Sequence, residues 1–183
     1  MIEVRWHGRG GQGSFTVARI LGIAASLYGG KNAQAFPSFG PERRGAPVTG
    51  FTRISDEKIT DRSELDLCDY VVVLDETLWG KDVTKGLKPE TVIIINTNNP
   101  EKYKTDGGHK IVSIDATSLA LQELGQPITN TTMMGALVAV SDMVDTECCL
   151  KAINDSLKPK IAAKNQTLFN KAYAMVKEDL KNE

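Results

Sequence analysis

The densest set of groups that could do chemistry lies near the start of the chain, in Trp6-His7-Gly8-Arg9-Gly10-Gly11-Gln12-Gly13. Gly8, Gly10 and Gly13 have the G-x-G-x-x-G spacing, between a predicted strand (2–7) and a predicted helix (14–28). In that context glycines permit a tight turn and bring free N–H groups and a helix N-terminus close to an anion. The same spacing also serves a βα turn that binds nothing. Arg9, inside the turn, suits a phosphate or a partner's carboxylate, or is simply solvated. His7 reads as a hydrogen-bonded polar residue at a strand end rather than a catalyst.

A nicotinamide or flavin dinucleotide site needs an acid about 20 residues further on to hold the ribose hydroxyls. No Asp or Glu occurs between Ser14 and Pro41. Glu42 arrives late, within Phe36-Pro37-Ser38-Phe39-Gly40-Pro41-Glu42-Arg43-Arg44-Gly45-Ala46-Pro47. Three prolines give that loop a prescribed path. Stiffness lowers the entropy lost on binding, and aromatics and arginine favour interfaces, so the loop suits a ligand or subunit surface. A rigid solvated crossover is the alternative.

Other polar groups fall at expected strand and helix ends. Asp75-Glu76-Thr77 follows an apolar run and could cap a helix, touch a partner or face a ligand. Asn96-Thr97-Asn98-Asn99-Pro100 suits turn hydrogen bonds. Asn130-Thr131-Thr132-Met133-Met134-Gly135 reads as a helix start with methionines in a core or subunit contact. Cys68, Cys148 and Cys149 form neither a disulfide framework nor a four-thiolate cluster site and read as reduced thiols. No Ser/His/Asp or Cys/His constellation stands out.

These groups must be positioned by an α/β framework. Residues 70–74 are an uninterrupted apolar run, 91–96 contain a second in Val92-Ile93-Ile94-Ile95 and 111–114 hold a shorter third, as expected of strands buried on both faces. Residues 32–36, 48–54 and 58–60 read as further strands, with a turn at 55–57. Helical patterns cover 14–28, 131–144, 146–157 and 160–181, with a helix entry at 115–117. The expected fold is a doubly wound, mostly parallel sheet with flanking helices and a helical C-terminal tail (about 146–183). All of it forms one domain, 1–183. With 22 basic and 23 acidic residues, the net charge of −1 gives no general attraction for nucleic acid. No apolar run reaches membrane-span length, and the first residues enter a strand at once, so a cytoplasmic location is expected.

The glycine turn, the segment from Gln34-Ala35-Phe36 to Pro47, Val71-Val72-Val73-Leu74-Asp75-Glu76-Thr77 and Asn130-Thr131-Thr132-Met133-Met134-Gly135-Ala136 together resemble one family. That family is the gamma subunits of pyruvate:ferredoxin oxidoreductase, among the 2-oxoacid:ferredoxin oxidoreductases. The likeness runs in order from about residue 3 to 145; the C-terminal helices are generic. It implies an accessory subunit for oxidative decarboxylation of pyruvate to acetyl-CoA, inactive alone. Thiamine diphosphate, Mg and 4Fe-4S clusters would lie on alpha, beta and delta-type partner subunits, with ferredoxin or flavodoxin taking the electrons. Coenzyme A would lie at this chain, with Gly8, Arg9, Gly10, Gly11, Gln12, Gly13, Arg43 and Arg44 as candidate contacts. A 3′-phosphorylated ribose also agrees with the missing acid. Kindred readings are a subunit of a 2-oxoglutarate or branched-chain enzyme, a stand-alone dinucleotide-binding oxidoreductase and a purely structural subunit.

Overall fold

The computed structural model describes residues 1–38 and 44–182. Strands β1 (Ile2–Arg9), β2 (Asn32–Pro37), β3 (Pro47–Ser55), β4 (Cys68–Val73), β5 (Leu87–Asn96) and β6 (Lys110–Ile114) form one sheet, ordered β2-β3-β1-β4-β5-β6. The β1–β4, β4–β5 and β5–β6 pairs are parallel, while β3 runs antiparallel to both β1 and β2. The ends of β1, β4, β5 and β6 therefore open on one edge. From β1 the chain moves to one side of the sheet and from β4 to the other. The edge between them is the switch point where such sheets bind ligands.

Alternation along β1 decides what each face meets. Val4 and Trp6 are fully buried beneath α1 (Ser14–Ile23), α3 (Ala116–Leu124), α4 (Asn130–Ser141), α5 (Thr146–Ser156) and α6 (Pro159–Asn182). Trp6 donates its indole N–H to Thr52 Oγ1, which donates in turn to the Ala18 carbonyl. Arg5 and His7 face the other way, toward a smaller core of Phe51, Leu65, Val71, Val73 and Val83. Among the described residues that side carries only the short helix α2 (Lys81–Thr84), single 3₁₀ turns and loops.

The expected strand at 58–60 is absent. Both edges of β3 are already taken, by β1 and β2, so a returning strand has no place to pair. The first helix is α-helical over Ser14–Ile23 and widens to a π-turn over Ala24–Tyr28. The α4 helix ends earlier than its apolar pattern, at Asp142, which takes a left-handed conformation with φ of 48°. Glycine lets α4 and α6 touch: a Cβ on Gly135 would lie 2.3 Å from the Phe169 carbonyl oxygen.

Candidate functional site

Two glycines shape the turn after β1. A Cβ at Gly8 would lie 2.2 Å from Ser14 Oγ, so only glycine lets the start of α1 fold back over the strand end. Gly13 has φ of +80°, and a Cβ there would lie 2.5 Å from Asn130 Nδ2. The N-terminus of α1 thus rests against the N-terminus of α4. Gly13 and Thr129, the two N-cap residues, supply no side-chain cap. The first-turn amides of α1 are left for other acceptors, whereas in α4 the Thr131 amide already donates to Asn130 Oδ1 (2.9 Å); the two helix dipoles reinforce one another there. Ser14 Oγ and Thr132 Oγ1, one on each helix, are buried without a hydrogen-bond partner.

The rest of the turn is occupied by the chain itself. The Arg9 amide donates to Gln12 Oε1 (2.7 Å), the Gly10 amide to the Ala46 carbonyl (2.8 Å) and the Gln12 amide to the Arg9 carbonyl (2.9 Å). The Gly45 amide donates to Gly10 O, and Gly10 forms a parallel bridge with Arg44. Residues 44–46 are thereby zipped against the glycine turn. Of the candidate amides, those of Gly11 and Gly13 and of the first turn of α1 point to an anion better than those of Arg9, Gly10 and Gln12.

Arg9 pairs within the chain. Its Nε lies 3.2 Å from Asp75 Oδ2, Nη2 donates to Thr77 Oγ1 (2.7 Å) and Nη1 to the Gly45 carbonyl (3.2 Å). Asp75 also accepts from Gln12 Nε2 (2.9 Å) and from the amide and hydroxyl of Thr77. Burial alone would raise the Asp75 pKa, but those hydrogen bonds and the Arg9 charge outweigh it and hold the carboxyl below its usual range. Asp75 is thus both the expected cap, of a 3₁₀ turn at Glu76–Leu78, and the counter-ion of Arg9. Arg44 is exposed on the same edge. Arg43, the other candidate arginine, lies outside the described residues.

In the 96–100 segment the Asn99 amide makes the expected turn hydrogen bond to Thr97 Oγ1, while Asn96 instead reaches across the sheet edge, donating to the Leu74 carbonyl and to Thr117 Oγ1. Glu76 accepts from Thr97 Oγ1 and Tyr103 Oη, both at 2.6 Å. These two bonds keep its carboxyl below the ordinary value. The His7 side chain faces the smaller core on the other side of the sheet. Burial, and then the Arg5 charge, lower its pKa to about 3, so it is a neutral acceptor for Arg5 Nε. The sequence reading missed the apposition of Asn130 with Gly13. The polar Asn-Thr-Thr start of an otherwise apolar helix was its only trace.

Comparison with known proteins gives a consistent picture. The family model described as pyruvate ferredoxin/flavodoxin oxidoreductase matches residues 3–175. Over 174 residues, 51% are identical to pyruvate synthase subunit PorC of Methanocaldococcus jannaschii, covering 94% of this chain and 96% of that one. Identity is 47% to the pyruvate/ketoisovalerate oxidoreductases common subunit gamma of Pyrococcus furiosus, again covering 94% and 96%. The crystal structure of pyruvate oxidoreductase subunit PORC from Thermotoga maritima superposes with a TM-score of 0.81. It is 38% identical, over 94% of this chain and 95% of that one.

Proposed function

Because the chain belongs to the pyruvate ferredoxin/flavodoxin oxidoreductase family, we propose that it is the gamma subunit of a pyruvate:ferredoxin oxidoreductase and holds coenzyme A. The coenzyme's phosphates would sit where α1 and α4 begin, against the amides of Gly11, Gly13 and the first turn of α1. Gly8 and Gly10 shape this cradle and Gln12 braces it, while Arg9 and Arg44 put positive charge beside it; Arg43 is the further candidate contact. One observation carries the reading: two helices start side by side at the sheet's switch point, and neither N-cap residue supplies a side-chain cap.

The chemistry of the reaction would lie on other subunits. Thiamine diphosphate with Mg on partner subunits would supply the decarboxylation chemistry, and 4Fe-4S clusters there would supply the electron path to ferredoxin or flavodoxin. The coenzyme A thiol is itself the acyl acceptor, so this chain need contribute no nucleophile. Its part is to fix the carrier's phosphates and thereby the reach of the thiol, an entropic contribution. The alpha, beta and delta-type subunits would supply the remaining walls in the cytoplasm.

The test is calorimetric titration of coenzyme A and NADH into the isolated chain and into the assembled complex, each with wild type and Gly10→Val. Coenzyme A binding that the valine abolishes supports the assignment. Binding of NADH alone would favour a dinucleotide enzyme, and no binding even in the complex a structural subunit.

A further inference from the structure

The chain buries two arginines in its sheet, and they are treated differently. Arg53 is 1% exposed and is met by Glu3 (3.2 Å) and Asp61 (3.4 Å). Arg5, on the central strand, is 3% exposed, and its hydrogen-bond acceptors are all neutral. Its Nε donates to His7 Nε2 (3.0 Å) and its Nη2 to the carbonyls of Val83 and Lys85 (3.0 and 2.5 Å). Among the described residues no carboxylate lies within salt-bridge distance of it. A buried charge without a counter-ion is strongly destabilising, and proteins ordinarily pair it.

Directly over this guanidinium lies a cavity of about 370 Å³, within the range of small-molecule sites. Arg5 and His7 form its floor with Thr49 and Phe51, and Leu65 and Leu78 make apolar walls. Accepting from Arg5 fixes the His7 tautomer, so the ring carries its proton on Nδ1 as a donor. Thr49 adds a hydroxyl. The charged groups at the rim are Lys85, Asp82 and Glu64. Lys85 and Asp82 pair with each other at 3.0 Å, and Glu64 has an interaction of its own. One buried cation, two rim carboxylates and apolar walls match a single negative charge carried on a small apolar body. A dianion such as phosphate would meet Asp82 and Glu64 without a second unpaired cation among the described residues that line the cavity.

We propose that this cavity is a binding site for a small monocarboxylate bearing a short apolar substituent. The carboxylate takes Nη1 of Arg5, the one guanidinium nitrogen without an acceptor among the described residues, and the donors of His7 and Thr49, while the substituent lies against Phe51, Leu65 and Leu78. The site is separate from the glycine turn and independent of the coenzyme A assignment. The two are nevertheless mechanically joined, since Leu78 ends the 3₁₀ turn whose cap, Asp75, holds Arg9.

The test is titration of the full-length chain with isobutyrate, its neutral isostere isobutyramide and inorganic phosphate, followed by calorimetry and by NMR of the ligand. Variants are Arg5→Met and, because that change could unfold the sheet, Leu78→Trp, which fills the cavity from its rim without touching Arg5. Saturable isobutyrate binding is expected, at least tenfold weaker in Leu78→Trp, with no binding of isobutyramide or phosphate. Equal binding in Leu78→Trp, equal binding of the amide, or none of isobutyrate overturns the proposal. So does a folded Arg5→Met chain that no longer joins its complex while wild type binds no acid. In that case a carboxylate from a neighbouring subunit is the counter-ion.

Discussion

Asp75→Asn should weaken the fold and strengthen anion binding at the same time. The substitution keeps the size of the side chain and a cap acceptor for the Thr77 amide, because Asn caps about as well as Asp. It removes the charge opposite Arg9, an ion pair whose members are 33% and 17% exposed, so solvent screens it. The loss is about 1 kcal/mol for the pair and its weakened hydrogen bonds, or roughly 2–4 °C in Tm for a domain of this size. Binding moves the other way. Each of two phosphate charges roughly 7 Å from the carboxylate feels about 0.6 kcal/mol of repulsion in water. Allowing for salt, its removal tightens coenzyme A binding about three- to eightfold. Thermal unfolding and calorimetry of the same preparation read both quantities. If affinity and Tm fall together, Asp75 orders the turn for its ligand instead of competing with it, and the reasoning fails.

Three other consequences concern parts of the molecule away from the turn. His7 has a folded pKa of about 3 against 6.5 unfolded, so the unfolded chain binds the extra proton between those values. Stability is fully present above pH 6.5 and falls with pH, by about 2 kcal/mol at pH 5, in denaturant titrations. His7→Gln, which keeps an acceptor for Arg5, should remove that slope; an unchanged slope would show that His7 is not its source. Gly135→Ala forces a methyl against the Phe169 carbonyl and should cost about 1–3 kcal/mol, read as a lower Tm; no change would mean that α4 and α6 separate freely. Burial raises the thiol pKa of Cys68 and pushes that of Cys149 up to about 12. Mass spectrometry after iodoacetamide treatment at pH 8 should therefore find label on half-buried Cys148 and not on the other two.

Strands were legible in the sequence where burial on both faces leaves an unbroken apolar run. Val71-Val72-Val73 and Ile93-Ile94-Ile95 could be little else, and both pair in parallel. The 58–60 segment was read as a strand returning after a turn, yet which strand edge is free is a property of the whole sheet. The helix of residues 130–141 was legible from composition, whereas its end at Asp142 depends on a left-handed residue that no periodicity announces. The glycine spacing pointed to a tight turn between a strand and a helix, and the chain does turn there, between β1 and α1. It could not show that Arg9 would be claimed by Asp75, 66 residues away, or that Asn130 would meet Gly13. Long-range contacts of that kind are fixed by topology and leave no spacing to read. Arg5 was overlooked for a related reason: a charge inside a strand pattern normally faces solvent, and here the loop-covered face buries it.

Hydrogen exchange of the backbone amides of residues 11–16 in the assembled complex, with and without coenzyme A, probes the cradle directly. Slower exchange in that segment on adding the coenzyme, reversed by Gly10→Val, is the expected result. Unchanged exchange there, while segments of other subunits become protected, would place the phosphates elsewhere and contradict the assignment.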